Sequence, residues 1–228
     1  MFLTHDNKLK WKKIGWGAGI TAALVALGIA WYDKWLYLFM RNFDCGLWRV
    51  FDMLFSAKIW LIATALVLVL FYIKKAYLAG WDFRRPNGRF SFKAFCADFW
   101  NKIRGSNAFF IFTSVVAAGV IVGILKIFIG RARPILFEAV EFTGFFPPST
   151  EWVFNSMPSG HTTISFAGLV MIGMLAPRYK VLTWGLAILI GASRVAFGAH
   201  WPTDVILGAF IGMVIADIVK WALIKLNK

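Results

Sequence analysis

Six apolar segments constrain this 228-residue chain more than any other feature. A membrane-spanning helix needs about 20 mostly apolar residues, because a helix rises about 1.5 Å per residue across roughly 30 Å of hydrocarbon. Only 16% of the residues are charged and the mean hydropathy is +0.69, which excludes a disordered chain and argues against an ordinary soluble enzyme. The predicted spans are residues 14–32, 59–73, 108–125, 162–176, 181–192 and 205–226.

These segments predict an all-α integral membrane bundle of six transmembrane helices, formed as one domain over residues 1–228. The fourth and fifth segments are short for a span, and we expect them to extend into the polar motifs beside them. Residues 92–103 predict an amphipathic helix on the inner membrane surface, because apolar side chains recur there every three or four positions. The aromatic-rich residues 35–55 are expected along the outer surface, and Pro86-Asn87-Gly88 predicts a turn.

The net charge of +14 comes from an excess of basic residues, and the positions of these residues predict the orientation of the bundle. Most Lys and Arg residues lie in the N-terminal tail, after the second and fourth spans, and at the C-terminus. Since short cytoplasmic loops collect such residues, both termini are predicted in the cytoplasm, and the charge requires no nucleic-acid partner. This topology separates Cys45 from Cys96 across the bilayer, so both are predicted to be unpaired.

Three polar clusters at span ends are candidates for function, because an ionisable residue near hydrocarbon is costly. The odd and even order of the spans puts all three clusters at the same membrane face, where they can converge on one site. They are Lys126, Arg131 and Arg133-Pro134; then Pro158-Ser159-Gly160-His161; then Ser193-Arg194 with His200-Trp201-Pro202-Thr203-Asp204.

The chemistry of these clusters indicates phosphate. Lys126, Arg133 and Arg194 supply three cationic donors, and arginine binds phosphate oxygens through two parallel hydrogen bonds. Ser159 and Gly160 stand where a helix begins, and the free N–H groups of a helix start bind anions.

The remaining polar residues have simpler explanations. We expect Arg131 to reach lipid phosphates, Ser193 to satisfy backbone groups, and the loop acids Glu138, Glu141 and Glu151 to balance the basic site.

Two histidines complete a mechanism for phosphoryl transfer. His200 and Asp204 are four residues apart, so on a helix they share a face, and a carboxylate on one ring nitrogen makes the other a better nucleophile. His161 remains as a proton donor to the leaving oxygen. His5, in the N-terminal tail, is expected to have no role. No cluster of metal-ligand type accompanies these residues, so the sequence predicts a reaction without metal or other cofactor.

Together these residues resemble the three-part signature of the type 2 phosphatidic acid phosphatases, with the same spacing inside each part. The resemblance implies that His200 forms a phosphohistidine, that Asp204 orients it, and that His161 protonates the leaving group. Lys126, Arg133, Arg194 and the amides near Ser159 and Gly160 would hold the phosphate. The signature covers residues 126–204, and the helix layout extends the resemblance over most of the chain.

The family's substrates are phosphatidate, phosphatidylglycerol phosphate, undecaprenyl pyrophosphate and the phosphates of lipid A, which the signature does not distinguish. Its bacterial members act at the outer face of the inner membrane, so we expect a lipid phosphatase whose site faces the periplasm. A phosphotransferase that moves phosphate to another lipid is an alternative. The soluble vanadate-dependent haloperoxidases share the signature, but six spans argue against them. An anion transporter or scaffold is disfavoured because the charges gather at one membrane face. The oligomeric state stays open.

Overall fold

Ten α-helices account for most of the residues described by this computed structural model, which are residues 2–4, 6, 8–79 and 90–227. These ranges contain no β-strand, and the β-bridges in them, such as those of Leu3 with Leu9 and Arg131 with Phe145, are isolated. The prediction of an all-α membrane bundle is therefore confirmed. The helices are α1 Trp11–Leu27, α2 Asp33–Arg41, α3 Gly46–Leu54, α4 Ala57–Ala79, α5 Phe92–Ile103, α6 Asn107–Ile129, α7 Pro134–Val140, α8 Gly160–Leu175, α9 Lys180–Ala196 and α10 Pro202–Leu226.

Four helical stretches of the described chain are long and apolar enough to cross a membrane: Trp11–Arg41, α4, α6 and α10. The other two predicted spans are the shorter helices α8 and α9, of 16 and 17 residues. Both extend into the flanking motifs as expected, since α8 includes His161 and α9 includes Arg194. The six predicted segments thus correspond to six helices, two of them shorter than a full span.

The first helix is longer than predicted. A π-helical segment, Gly28–Tyr32, joins α1 to α2, so that one helical stretch runs on to Arg41. Residues 35–55, expected along the outer surface, therefore divide into two parts: the first continues the long first helix as α2, and the second forms the separate helix α3. The helix predicted at 92–103 is confirmed as α5, and both cysteines are free. His5 and the predicted turn at Pro86-Asn87-Gly88 lie outside the described residues.

Helix α8 lies at the centre of the bundle, where it packs against α6, α9 and α10. Every residue from Thr162 to Met171 is buried. A mostly apolar helix is buried on all sides here, whereas the surrounding helices expose large side chains such as Val120 of α6 and Ile188 of α9 on their outer faces. The central position of α8 puts its first residues, including His161, in the middle of one end of the bundle.

The π-helical segment also fixes the contact between the first helix and α10. A Cβ atom built at Gly28 would lie 2.2 Å from Thr203 Cγ2 and 2.7 Å from Tyr32 Cζ. Gly28→Ala should therefore destabilise the protein by about 1–3 kcal/mol through overpacking, measured as thermal unfolding in detergent. Gly19→Ala is the matched control, because no atom lies within 4 Å of a Cβ there. Equal unfolding temperatures for the two variants would contradict the close contact.

Candidate active site

The three sequence clusters surround one cavity of about 430 Å³ at the end of the bundle where α8 begins. Tight turns bring them there. Gly130, with φ of +60°, ends α6 in the left-handed conformation, and a Cβ at this position would clash with the carbonyl of Phe146. Pro134 and Pro202 begin the helices that follow. The cavity wall includes four of the predicted site residues, Arg133, His161, Arg194 and His200.

Asp204 contacts the imidazole of His200 from the buried side. Asp204 Oδ2 lies 3.5 Å from His200 Nδ1, and it accepts hydrogen bonds from the Trp201 backbone N–H at 3.0 Å and from the Ser156 hydroxyl. The predicted shared helix face is wrong, because α10 begins at Pro202 and His200 lies in the preceding turn. With Nδ1 directed at the carboxylate, Nε2 is the nitrogen that remains for chemistry.

The protonation state of His200 suits a nucleophile. Burial lowers the pKa of His200 well below its usual value; Lys126 and Arg133 add to this effect, and Asp204 opposes it. A charged imidazole would lose its hydration at a site where only 2% of the residue is exposed. At neutral pH the ring is therefore neutral, and Nε2 has a free lone pair.

Arg133 and Lys126 attach the segment before α8 to the site. Arg133 donates to the carbonyls of Trp152 (2.9 Å), Asn155 (3.2 Å) and Ala199 (3.1 Å), and its guanidinium lies 4.2 Å from the centre of the Trp152 ring. Lys126 Nζ donates to the carbonyls of Asn155 and Ser156. Burial lowers the pKa of Arg133 to about 10, so the side chain stays charged at neutral pH. Arg133 therefore lines the cavity as a cation, and Lys126 holds the carbonyls of the segment that precedes α8.

Arg194 and His161 both contact Asp52 of α3, a residue that was not predicted as part of the site. Arg194 Nη1 forms an ion pair with Asp52 Oδ1, and His161 Nε2 lies 3.2 Å from the same oxygen. Two buried nitrogens here, Arg194 Nε and His161 Nε2, have no hydrogen-bond partner in the described chain. Buried polar groups are normally satisfied, so unpaired nitrogens beside a cavity are suited to hold an anion.

Ser159 is engaged differently from what the sequence suggested. Its backbone N–H donates to the carbonyl of Asp204 at 3.0 Å, and its hydroxyl accepts a bond from Thr162. The predicted use of this amide for phosphate is therefore not available in the structure. The next amides, of Gly160 and His161, belong to the first turn of α8 and have no acceptor within the helix. Ser193 satisfies a backbone group as expected, because its hydroxyl donates to the carbonyl of Ile190 at 2.7 Å.

Arg131 was expected to reach lipid phosphates, but its position in the structure is different. It is buried and joins two buried carboxylates, with Nη1 at 2.7 Å from Asp204 Oδ1 and Nη2 at 2.7 Å from Asp33 Oδ2. Thr203 accepts a further bond from Nη1 and donates to Asp33. A buried carboxylate needs a counter-ion to offset its loss of hydration, and Arg131 supplies one to both acids. Arg131 thus connects the first helix to the residue that contacts His200.

Glu138, predicted as one of three loop charges, lies on α7 and lines the cavity. It accepts a hydrogen bond from the Tyr37 hydroxyl and lies 3.3 Å from Arg41 Nε. The segment before His161 is therefore partly helical, and Glu138 joins it to Tyr37 and Arg41 of α2. The sequence carried one signal for Asp33 and Asp52, since both are acids in apolar or aromatic surroundings. Nothing in the sequence indicated their partners.

The fold and site define a class: an integral membrane helical bundle with two histidines and several cations around one polar cavity. A family model described as the PAP2 superfamily matches residues 107–228, more than half of the chain, and the chain belongs to this superfamily. The match begins at the first residue of α6 and includes all the residues predicted for the site.

Individual relatives share shorter regions. The lipid A 1-phosphatase of Rhizobium etli is 43% identical over 103 residues, which are 45% of this chain and 44% of the relative. An undecaprenyl-diphosphatase of Sulfolobus acidocaldarius is 36% identical over 101 residues, covering 43% of this chain and 47% of that protein. The chain thus aligns with about half the length of these curated relatives. The crystal structure of Aquifex aeolicus LpxE has 21% identity and a TM-score of 0.48, over 82% of this chain and 94% of that one.

Proposed function

We propose that this protein is a membrane lipid phosphatase that hydrolyses a phosphomonoester or pyrophosphate headgroup through a phosphohistidine. One observation carries the proposal: a buried, neutral His200, in contact with Asp204, opens on the same cavity as His161 and two arginines. A nucleophile, an orienting carboxylate, a proton donor and anion-binding cations are the groups that phosphoryl transfer to a side chain requires. Residues 1–228 act together as one membrane domain in this proposal.

In the first step, His200 Nε2 attacks phosphorus, an N–P bond forms, and the bond from phosphorus to the leaving oxygen breaks. His161 donates its proton to that oxygen, so the lipid departs as an alcohol, or as a lipid phosphate when the substrate is a pyrophosphate. Lys126, Arg133 and Arg194 stabilise the charge on the other phosphate oxygens, with the amide of Gly160 nearby. Asp204 stabilises the positive charge that the imidazole gains.

In the second step, water attacks phosphorus and the N–P bond breaks. His161, now neutral, accepts a proton from the water, so inorganic phosphate leaves and both histidines return to their starting states. The protein's own side chains supply the charge stabilisation and the proton transfers. The scheme therefore needs no metal ion or other cofactor.

The names of relatives and the apolar helices support a lipid substrate. These names refer to lipid A, undecaprenyl diphosphate and phosphatidylglycerophosphate, all lipids with a phosphate headgroup. We propose that one of these, or phosphatidate, is the substrate. Both termini lie in the cytoplasm of a bacterial inner membrane in this proposal, and the cavity faces the periplasm, because Lys and Arg concentrate in the opposite loops.

The test is phosphate release by purified protein in detergent, with EDTA present throughout. The substrates are phosphatidate, phosphatidylglycerol phosphate, undecaprenyl pyrophosphate and lipid A, each with wild type and with His200→Gln. We expect release from at least one lipid by wild type, unaffected by EDTA, and none above background by the variant. Release that EDTA abolishes, or that His200→Gln retains in full, would contradict the mechanism. Labelled phosphate that passes to another lipid would identify a phosphotransferase instead.

A further inference from the structure

Asp52 lies outside both the family match and the sequence signature, yet it is one of the cavity residues. It belongs to α3, which packs against α9, and its neighbours Phe51 and Phe55 contact the apolar core of the bundle. These aromatic contacts hold α3 against the bundle. The side chain of Asp52 is 35% exposed, and its Oδ1 contacts both Arg194 and His161. A carboxylate is an unexpected group to find where a phosphate anion has to bind.

The charges around His161 explain what this carboxylate can do. Burial disfavours the protonated form of His161, and Arg194 from α9 and Lys126 from α6 add to this effect, whereas Asp52 opposes it. Arg133 lines the same cavity. Opposite charge within a few ångströms favours an imidazolium, whereas like charge disfavours it. Asp52 is the carboxylate that faces His161 across 3.2 Å.

The other two acids near the cavity, Glu138 and Asp204, contact residues other than His161 in the described structure. Glu138 accepts the hydroxyl proton of Tyr37 in a hydrogen bond and lies beside Arg41, and Asp204 is paired with Arg131 and directed at His200. Neither is available to His161. Asp52 is therefore the acid beside the cavity whose charge can favour a proton on His161.

We propose that Asp52 is a positioning residue whose negative charge favours the protonated form of His161. This inference rests on the proposed function, in which His161 is the general acid. When the P–O bond breaks, the proton passes from His161 Nε2 to the leaving oxygen, and Asp52 takes no part in the transfer. The neutral imidazole then takes a proton from the attacking water, and the imidazolium that forms again faces Asp52.

The test compares two leaving groups in Asp52→Asn. An alkyl alcohol leaves only when it is protonated, whereas p-nitrophenol leaves as an anion and needs no acid. We expect kcat to fall by about 100-fold for the phosphomonoester lipid that wild type hydrolyses fastest, which is the lower part of the range for a general acid. The rate with p-nitrophenyl phosphate should change little. The alkaline limb of the pH profile with lipid should move to lower pH, because the imidazolium has lost its stabilising charge.

Two variants serve as controls. Asp52→Glu retains the charge and should recover most of the rate with lipid. Asp44→Asn removes one acid from the same region, where Asp44 is exposed and pairs with Arg41, and should leave the ratio of the two rates unchanged. Activity with p-nitrophenyl phosphate reports that the Asp52→Asn site is folded.

Several results would overturn the proposal for Asp52. An equal loss with both substrates would show a general role in folding or phosphate binding, and an unchanged pH profile with unchanged lipid turnover would show no role. Failure of the proposed function gives a different result, because wild type would then release no phosphate from either substrate, or His200→Gln would retain activity.

Discussion

His200→Gln should lower the rate of phosphate release by about 10⁴-fold or more, because it removes the nucleophile and leaves only the binding and electrostatic groups of the site. Glutamine is close in size to histidine and can still reach the Asp204 carboxylate, so the loss should not come from unfolding.

Wild type incubated with lipid carrying ³²P in its phosphate and quenched within one turnover should contain labelled protein. Phosphohistidine is labile in acid and stable in alkali, so the label should survive an alkaline quench and disappear in acid.

His161→Gln provides the matched comparison for this experiment. With p-nitrophenyl phosphate the first step needs no acid, but the second step lacks the base that activates water. This variant should therefore accumulate more alkali-stable label than wild type, whereas His200→Gln should contain none. Label in His200→Gln, or full activity of that variant, would exclude His200 as the nucleophile and would favour direct attack by water.

Much of the bundle could be predicted because helices that face lipid must be apolar over a defined length. The predicted spans at 59–73, 108–125 and 205–226 correspond to α4, α6 and α10, each extended by a few residues at one or both ends. The first span differs most. It continues past the charged Asp33, because Arg131 satisfies this carboxylate inside the protein and the helix need not end there.

Part of the site could also be predicted from local sequence pattern, whereas the rest depends on how the helices pack. Residues with fixed spacing at span ends, such as Arg133, His161 and Arg194, could be predicted to meet because the spans alternate in direction. Asp52 and Asp33 could not be assigned, because their partners are more than 90 residues away and the contacts depend on how α3 and the first helix pack. The shared helix face of His200 and Asp204 was predicted wrongly, although the contact itself forms through a turn.

Arg131→Met should produce the largest loss of stability among single substitutions at the site. Arg131, Asp33 and Asp204 are all buried, and the two ion pairs have nitrogen–oxygen distances of 2.7 Å. Removing one partner of a buried ion pair costs about 3–5 kcal/mol, because the charge left behind has neither water nor a partner. Here one substitution leaves two carboxylates without a counter-ion, although each keeps hydrogen bonds from neighbouring groups. Thermal unfolding of the purified variant in detergent should show the loss directly.

Arg178→Met is the control for this substitution, because Arg178 is exposed and its removal should change stability by no more than about 0.5 kcal/mol. Arg131→Lys should be intermediate, since an ammonium group lacks the planar fork that reaches two carboxylates at once. If Arg131→Met unfolds at the same temperature as Arg178→Met, the ion pairs contribute nothing to stability.

A double substitution separates the stability effect from the effect on catalysis. Asp33→Asn added to Arg131→Met neutralises one of the two carboxylates that lost their cation, so the double variant should be more stable than Arg131→Met alone. Asp204 still lacks its cation in the double variant, and it can then accept a proton and no longer support the imidazolium of His200. Stability should therefore recover in part while phosphate release stays low. Recovery of both together would mean that Arg131 acts on catalysis only by holding the first helix in place.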